Sequence, residues 1–369
     1  MQKHIAILTF HASHNYGSML QAYALQTCLE RLGYLVTIID YRGIAQKSYY
    51  VKPGRSFTKR TVRNLLASPS LFVQNRVKWN RFERFMRDRY HVSREHRKLA
   101  DTELLIKKEL GLYAIITGGD QIWNMDCLDF NPCYYLPFET PGIRRIAYSP
   151  SFGDENRWEP RNYANVLKVL VGGYDFPSVR ERSASLFLTD LIGRPVPSVP
   201  DPSILLDKED YEKLAGEEPL VKGQYLFYYT PWQIDAVSDY VYSFAKVHGY
   251  KVVSSNKSRS KAEKSFIPYN NAGPEEFLNL LKNATVVCGF SLHLVILSIV
   301  FHKEFYAVMQ SEGARISDFL GEVGLCSRLV YTQSNPTMIK AGPIDWEEVD
   351  KRLSVLKQAG FVFLREALM

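Results

Sequence analysis

Four short stretches of this 369-residue chain place chemically competent side chains where a strand would give way to a helix. In residues 14–18 (HNYGS), Asn15 and Gly17 precede a run of apolar-periodic sequence. A helix starting there would offer N–H groups and partial positive charge to an anion, and Gly17 would let the backbone come close. A tight turn with a helix cap accounts for the same residues, and the pattern is not G-x-G-x-x-G. In residues 118–124 (GGDQIWN), Asp120 follows a buried-strand run, with Gln121 and Trp123 beside it. A carboxylate there can act as base or acid toward a sugar hydroxyl, and an aromatic can stack on a sugar face. The Asp would equally cap its own turn. In residues 178–181 (SVRE), Arg180 offers a planar fork suited to phosphate or carboxylate, or else a structural pair with Glu181. In residues 290–293 (FSLH), Ser291 and Leu292 lead into His293 at the head of a very apolar helix. Histidine ordinarily titrates near neutrality, so it can move a proton at a helix end that favours anions. A histidine satisfied by a backbone carbonyl is the alternative.

These stretches need elements to hold them. Residues 4–10 read as a strand, and Ser18 reads as the N-cap of a helix to Leu32, with Leu25, Cys28, Leu29 and Leu32 at helical spacing. Gly33 ends it and residues 34–41 form the next strand, a βαβ start to a parallel sheet. Residues 43–110 break the rhythm as a basic, partly helical insertion. Alternation resumes with strands at 112–117 and 145–149, a helix near 163–171, and a short strand ending at 178–180. Residues 195–202 hold four prolines in eight positions, which reads as a stiff linker. Strand–helix alternation restarts from 225 onward. The expected organisation is α/β: a Rossmann-like domain over 1–194, a linker over 195–204, a second Rossmann-like domain over 205–343, and a helical tail over 344–369. Ligands in such sheets bind at the carboxyl ends of the strands.

Composition is ordinary for a globular enzyme, at 46% hydrophobic and 23% charged. Five scattered cysteines make no disulfide framework, and Cys127 and Cys133 lack the partners of a zinc site, so reduced thiols and no metal are expected. No apolar stretch reaches the roughly 18 residues of a membrane-spanning helix, and residues 1–10 do not read as a signal peptide. The net charge of +7 is uneven: residues 47–98 hold fifteen Lys or Arg against three acids. Either a solvated helical face or an anionic partner explains this, a membrane surface before nucleic acid, since no nucleic-acid motif accompanies it.

In order and spacing, NYGSMLQAYALQ (15–26), GGDQIWN, SPSFG (149–153), SVRE, DPSILL (201–206), GPEEFLNLLKNA (273–284) and the SLH element (291–293) resemble the polysaccharide pyruvyl transferase family. The resemblance implies a GT-B-like pair of Rossmann-like domains. It implies phosphoenolpyruvate as donor substrate, no further cofactor, and a surface or capsular glycan sugar as acceptor, joined as a ketal with release of phosphate. It carries Arg180 and His293 over to donor binding or catalysis and Asp120 to the same site; the readings of the four stretches add Ser291, Leu292, Asn15 and Gly17 on the donor, with His293 and Asp120 in catalysis. Asp120, Gln121 and Trp123 fall to the acceptor. The chain departs from the family pattern at Phe290, Ser291 and Leu294, so a second anion contact is expected from Arg315, Lys303 or Arg328. A cytoplasmic protein is expected, with peripheral contact at the inner membrane face through 47–98 and a lipid-linked acceptor. A sugar-nucleotide glycosyltransferase and an inactive anion- or glycan-binding relative are the competing readings.

Overall fold

The computed structural model describes residues 2–54, 69–153, 160–256, 260–311, 313–336 and 342–369. The chain divides into two compact units. The first comprises Met1–Val51, Met86–Leu206 and Ser354–Met369; the second comprises Lys52–Phe85 and Asp207–Leu353.

In the first unit, β1 (His4–Leu8), α1 (Tyr16–Arg31), β2 (Leu35–Ile38) and α2 (Ile44–Tyr49) open the chain. Helix α3 (Pro69–Arg89) belongs to the second unit as far as Phe85 and to the first from Met86. Then come α4 (Leu99–Leu104), β3 (Ala114–Gly118), β4 (Arg144–Tyr148), α5 (Ala164–Gly172) and α6 (Arg182–Ile192). The strands form one parallel sheet in the order β2-β1-β3-β4. Ile5 to Leu8 and all of β3 are buried, the continuous apolar run that a parallel strand covered on both faces requires. The order reverses direction between β1 and β3, so the ligand crevice of this sheet is expected above their carboxyl ends.

The proline-rich segment is not a free linker. Ser198 bridges Val179 in parallel, the Val199 N–H donates to the Val179 carbonyl at 3.0 Å, and Val196 and Val199 are buried. Proline suits this place because an edge segment needs few ladder donors. The expected boundary at 195–204 therefore moves to after Leu206.

The second unit continues with α7 (Lys208–Ala215), β5 (Tyr225–Tyr229), α8 (Asp235–His248), β6 (Lys251–Ser254) and β7 (Ile267–Pro268). It closes with α9 (Pro274–Lys282), β8 (Val286–Gly289), α10 (Leu292–Val300), β9 (Glu304–Met309), α11 (Ala314–Glu322) and β10 (Leu329–Tyr331). The parallel order is β10-β9-β8-β5-β6-β7, which reverses between β5 and β8. A Cβ on Gly289 would lie 1.8 Å from the Tyr229 carbonyl oxygen, so the two strands close on each other there only because residue 289 has no side chain. Every residue of α10 is buried, as its LHLVILSIV sequence demands.

The insertion is also shared differently from expectation. Arg81 pairs with Glu276 at 2.9 Å and donates to the Asn271 carbonyl at 2.9 Å, so residues 52–85 join the second unit. Its basic excess is partly matched in place: Lys47 meets Glu95, Arg94 meets Glu109, Arg97 meets Glu95, and Arg84 lies near Glu275 and Glu276. The tail, α12 (Trp346–Leu368), groups with the first unit from Ser354. There Tyr113 donates its hydroxyl to the Leu368 carbonyl at 3.0 Å. Among the described residues, no helix is long and apolar enough to cross a membrane.

Candidate active site

The reversal point of the first sheet holds the loops after β1 and β3. Helix α1 begins at Tyr16, with Asn15 rather than Ser18 as its N-cap. The Asn15 Oδ1 accepts from the Gly17 N–H at 2.9 Å and from the Ser18 N–H at 3.4 Å. These N–H groups, expected to face an anion, are thus satisfied by the cap. Ser18 is released for another purpose: its hydroxyl donates to Asp120 Oδ2. The other Asp120 oxygen accepts from the Gln121 N–H at 2.8 Å. Asp120 is buried and holds φ +55°, a conformation uncommon outside glycine and more tolerated by Asp than by most residues. Gly119 before it, at φ +68°, has room for no side chain, since a Cβ would sit 1.7 Å from Gln21 Oε1. Two consecutive left-handed residues thus turn the chain sharply off β3 and leave the carboxylate at the strand end.

Arg180 stands at the carboxyl end of the segment that bridges β4 at Phe176. Its side chain is 9% exposed, and Nη1 donates to Asp201 Oδ2 at 2.9 Å. Glu181 lies 3.7 Å from Nε, beyond hydrogen-bond reach. Nε and Nη2 are buried with no hydrogen-bond partner. Burial presses the Arg180 pKa down, but Glu181, Asp201 and Asp120 outweigh it and hold the pKa above the ordinary arginine value. Asp201 is itself fixed, accepting from the Ser203 N–H at 3.0 Å and the Ser203 hydroxyl at 2.6 Å. Glu181 accepts from the Ser151 hydroxyl. The result is a rigid cation with two idle donors near three carboxylates.

The aromatic expected to stack on a sugar has another role. Trp123 is 0% exposed, stacked on Tyr135 at 5.1 Å between centroids and packed against Phe152 and Tyr174. It is a core residue. Gln121 accepts from the Asn124 amide at 2.9 Å, bracing the same loop.

Sequence reasoning missed two groups on this edge. Asp129 is buried and accepts from the Tyr50 hydroxyl at 3.1 Å. Burial raises its carboxyl pKa and the Asp120 charge adds to that, while hydrogen bonds from Ser13 and Tyr50 act in the opposite sense. Farther along, His11 Nε2 lies 3.0 Å from Asp40 Oδ1, to which Arg42 Nε donates at 2.6 Å. Burial pushes the Asp40 carboxyl up, but His11 and Arg42 prevail and hold it well below the usual carboxylate range. Neither Asp lies in a recognisable motif; only its place after a strand or in a turn could have flagged it.

In the second unit, Ser291 precedes α10, and Leu292 and His293 form its first turn, where main-chain N–H groups lack intrahelical partners. His293 is buried at this end. Arg315 follows β9, on the same carboxyl edge. Lys303 and Arg328 do not qualify, because they immediately precede β9 and β10 and so lie at the amino edge of the sheet. Arg328 is also engaged by Glu304, by the Tyr306 hydroxyl at 3.3 Å and by the Gly342 carbonyl at 2.5 Å. An open depression of about 590 Å³ lies at residues 139–145, Asp175 and Phe176, by the start of β4, and contains none of these groups. Burial pushes the thiols of Cys28 and Cys133 up to about 12, so neither is a nucleophile at neutral pH.

The fold is GT-B-like. The chain is similar to a glycosyltransferase involved in avilamycin A biosynthesis, with TM-score 0.52 and 12% identity over 99% of this chain and 97% of that one. It is also similar to the UDP-GlcNAc 2-epimerase of Methanocaldococcus jannaschii, with TM-score 0.53 and 11% identity over 99% of both chains. At such identities these likenesses establish the architecture alone. A search of curated proteins gives no match. The profile of the polysaccharide pyruvyl transferase family, by contrast, matches residues 15–312. This span takes in Asp120, Arg180 and His293 together with the elements that position them, and the chain belongs to the polysaccharide pyruvyl transferase family.

Proposed function

We propose that the chain transfers the pyruvyl group of phosphoenolpyruvate to two hydroxyls of a glycan sugar, forming a ketal and releasing phosphate. The observation that carries this reading is Arg180: a buried guanidinium, locked on one side by Asp201, with Nε and Nη2 left without hydrogen-bond partners. Buried donors are nearly always satisfied in folded proteins, so idle ones at a strand end call for an anionic ligand. Phosphoenolpyruvate supplies a carboxylate and a phosphate for the planar fork.

In this reading the first turn of α10, with Ser291, Leu292 and His293, is the anion contact of the second unit, and Arg315 on the same edge of that sheet adds charge. His293 delivers a proton to the methylene carbon, which becomes the methyl group. Asp120 takes the proton of an attacking sugar hydroxyl. Two C2–O bonds to the sugar form and the C2–O bond to phosphate breaks. Of the two hydroxyl protons, one balances that gained by the methyl group and one leaves with phosphate. No step requires an oxidant or a metal.

The test is acceptor-dependent phosphate release from phosphoenolpyruvate, with the sugar product examined for a ketal methyl signal by NMR. Phosphate released in proportion to that signal, and lost in His293→Ala, supports the reading. Transfer of a sugar from UDP- or GDP-sugars under the same conditions, without phosphoenolpyruvate turnover, would replace it with a glycosyltransferase.

A further inference from the structure

The loop after β4, residues 149–153, meets the start of α6 around a hydroxyl that the proposed chemistry does not use. Ser151 is fully buried. Its N–H donates to the Asp120 carbonyl at 2.8 Å, its hydroxyl donates to Glu181 Oε1, and its Oγ accepts from the Gly153 N–H at 3.0 Å. Glu181 is the N-cap residue of α6, yet its side chain makes no cap hydrogen bond. A carboxylate at that position ordinarily turns to the free N–H groups of its own helix. Here it is turned the other way: Oε1 takes the Ser151 hydroxyl, and Oε2 accepts from the Phe152 N–H at 3.3 Å. Oε1 stops 3.7 Å from Arg180 Nε, close enough to attract it and too far for a hydrogen bond. Arg180 is tethered on its other side, with Nη1 on Asp201 at 2.9 Å and its own N–H on the Pro150 carbonyl at 3.0 Å.

From this arrangement we infer that Ser151 is a positioning residue, whose hydroxyl holds the Glu181 carboxylate off Arg180 and so keeps Nε and Nη2 open to the anionic substrate. Those two groups form the side-on fork of a guanidinium, which a neighbouring carboxylate closes with two parallel hydrogen bonds. A phosphate or substrate carboxylate needs the same fork. Glu181 is the acid placed to take it, and a buried carboxylate stripped of its hydroxyl donor would turn to the nearest idle N–H. The inference rests on the reading above in one respect, that the anion is phosphoenolpyruvate. It also explains why an acid stands beside an anion site at all: bound to Ser151 and Phe152, Glu181 joins the loop after β4 to the residue that carries the fork.

The experiment compares the full-length wild type with Ser151→Ala, Glu181→Gln and the double variant. Phosphoenolpyruvate affinity is measured by isothermal titration. The Arg180 Nε–H signal is followed by 15N NMR without ligand, and is assigned by its absence from Arg180→Lys. In Ser151→Ala, phosphoenolpyruvate should bind about tenfold more weakly, and the Nε–H proton should move downfield as the ion pair closes. Glu181→Gln should bind at least as tightly as wild type, because it keeps the shape and removes the competing charge. The double variant should return to within about threefold of wild type, with the Nε–H signal restored. Alanine at 151 is common to the single and double variants, so this rescue separates the Glu181 contact from lost packing and from the lost Gly153 bond. Three results overturn the inference: a Ser151→Ala variant with unchanged affinity and Nε–H signal, weakened binding that Glu181→Gln does not restore, or loss of binding in Glu181→Gln alone. Glu181→Gln keeps an oxygen for the Ser151 hydroxyl, so it decides the matter by itself if Ser151→Ala does not fold. If the Nε–H signal responds and is rescued as expected while wild type binds no phosphoenolpyruvate, the role of Ser151 stands and the pyruvyl donor falls.

Discussion

Arg180 and Asp120 are both held in arrangements that stability alone would not select. The Arg180 fork hydrogen-bonds Asp201 through Nη1, pairs with Glu181 at 3.7 Å from Nε, and leaves Nε and Nη2 without hydrogen-bond partners, so its replacement separates charge from shape. Arg180→Lys retains the charge and loses the planar fork. It should weaken phosphoenolpyruvate binding by at least about tenfold in a titration, while circular dichroism stays native. Asp120 sits at φ +55°. Asp120→Ala should therefore lower unfolding stability by about 1 kcal/mol, and Asp120→Gly should recover most of that loss, both measured in urea. If Asp120 is the base, neither variant turns over substrate. At this scale the sequence was legible where a residue type permits only a few uses, as with an arginine at a strand end. Trp123 was misread because an aromatic beside a carboxylate looks the same in a sugar site and in a core; only its contacts with Tyr135, Phe152 and Tyr174 distinguish them.

Among the elements, the strands β1 to β6, β8 and β9 were readable, most of them as uninterrupted apolar runs, whereas the edge strands β7 and β10 were not read, because two or three residues carry no periodic signal. The start of α1 was misplaced by three residues. Asn15 and Ser18 are both good caps, and the Ser18 bond to Asp120 spans 102 residues, which no local pattern reveals. The segment 52–85 was assigned to the wrong unit for a similar reason: its partner acids lie on α9. The turn off β3 depends on missing atoms as much as on present ones. Gly119→Ala forces a Cβ against the Gln21 amide at a left-handed φ, and should cost about 1–3 kcal/mol in denaturant unfolding. Trp123→Ala should cost about 3–5 kcal/mol, the signature of a lost core residue; a fully stable variant would return Trp123 to the acceptor site.

For the molecule as a whole, pH offers a separate check on the carboxyl edge of the first sheet. The folded-state pKa of Asp40 lies below its unfolded value of about 3.9. Its contribution is fully present above that unfolded value and is lost as pH falls through the folded-state value. Wild type should therefore lose stability more steeply than Asp40→Asn as pH drops below about 4, and the two should run parallel above about 5. Equal slopes in acid would mean that the His11–Asp40–Arg42 cluster does not hold as described. The α/β architecture and the family could be recognised from ordered motifs, but the idle donors of Arg180 and the Ser151–Glu181 contact come from burial and geometry that spacing does not encode. The central claim is that Arg180 belongs to a site for phosphoenolpyruvate. Isothermal titration of phosphoenolpyruvate into wild type, Arg180→Ala and Arg180→Lys tests it most directly. The account predicts micromolar to low-millimolar binding to wild type that disappears in Arg180→Ala and weakens in a folded Arg180→Lys. Binding undiminished in both variants, or no binding to wild type while a UDP- or GDP-sugar binds, would contradict it.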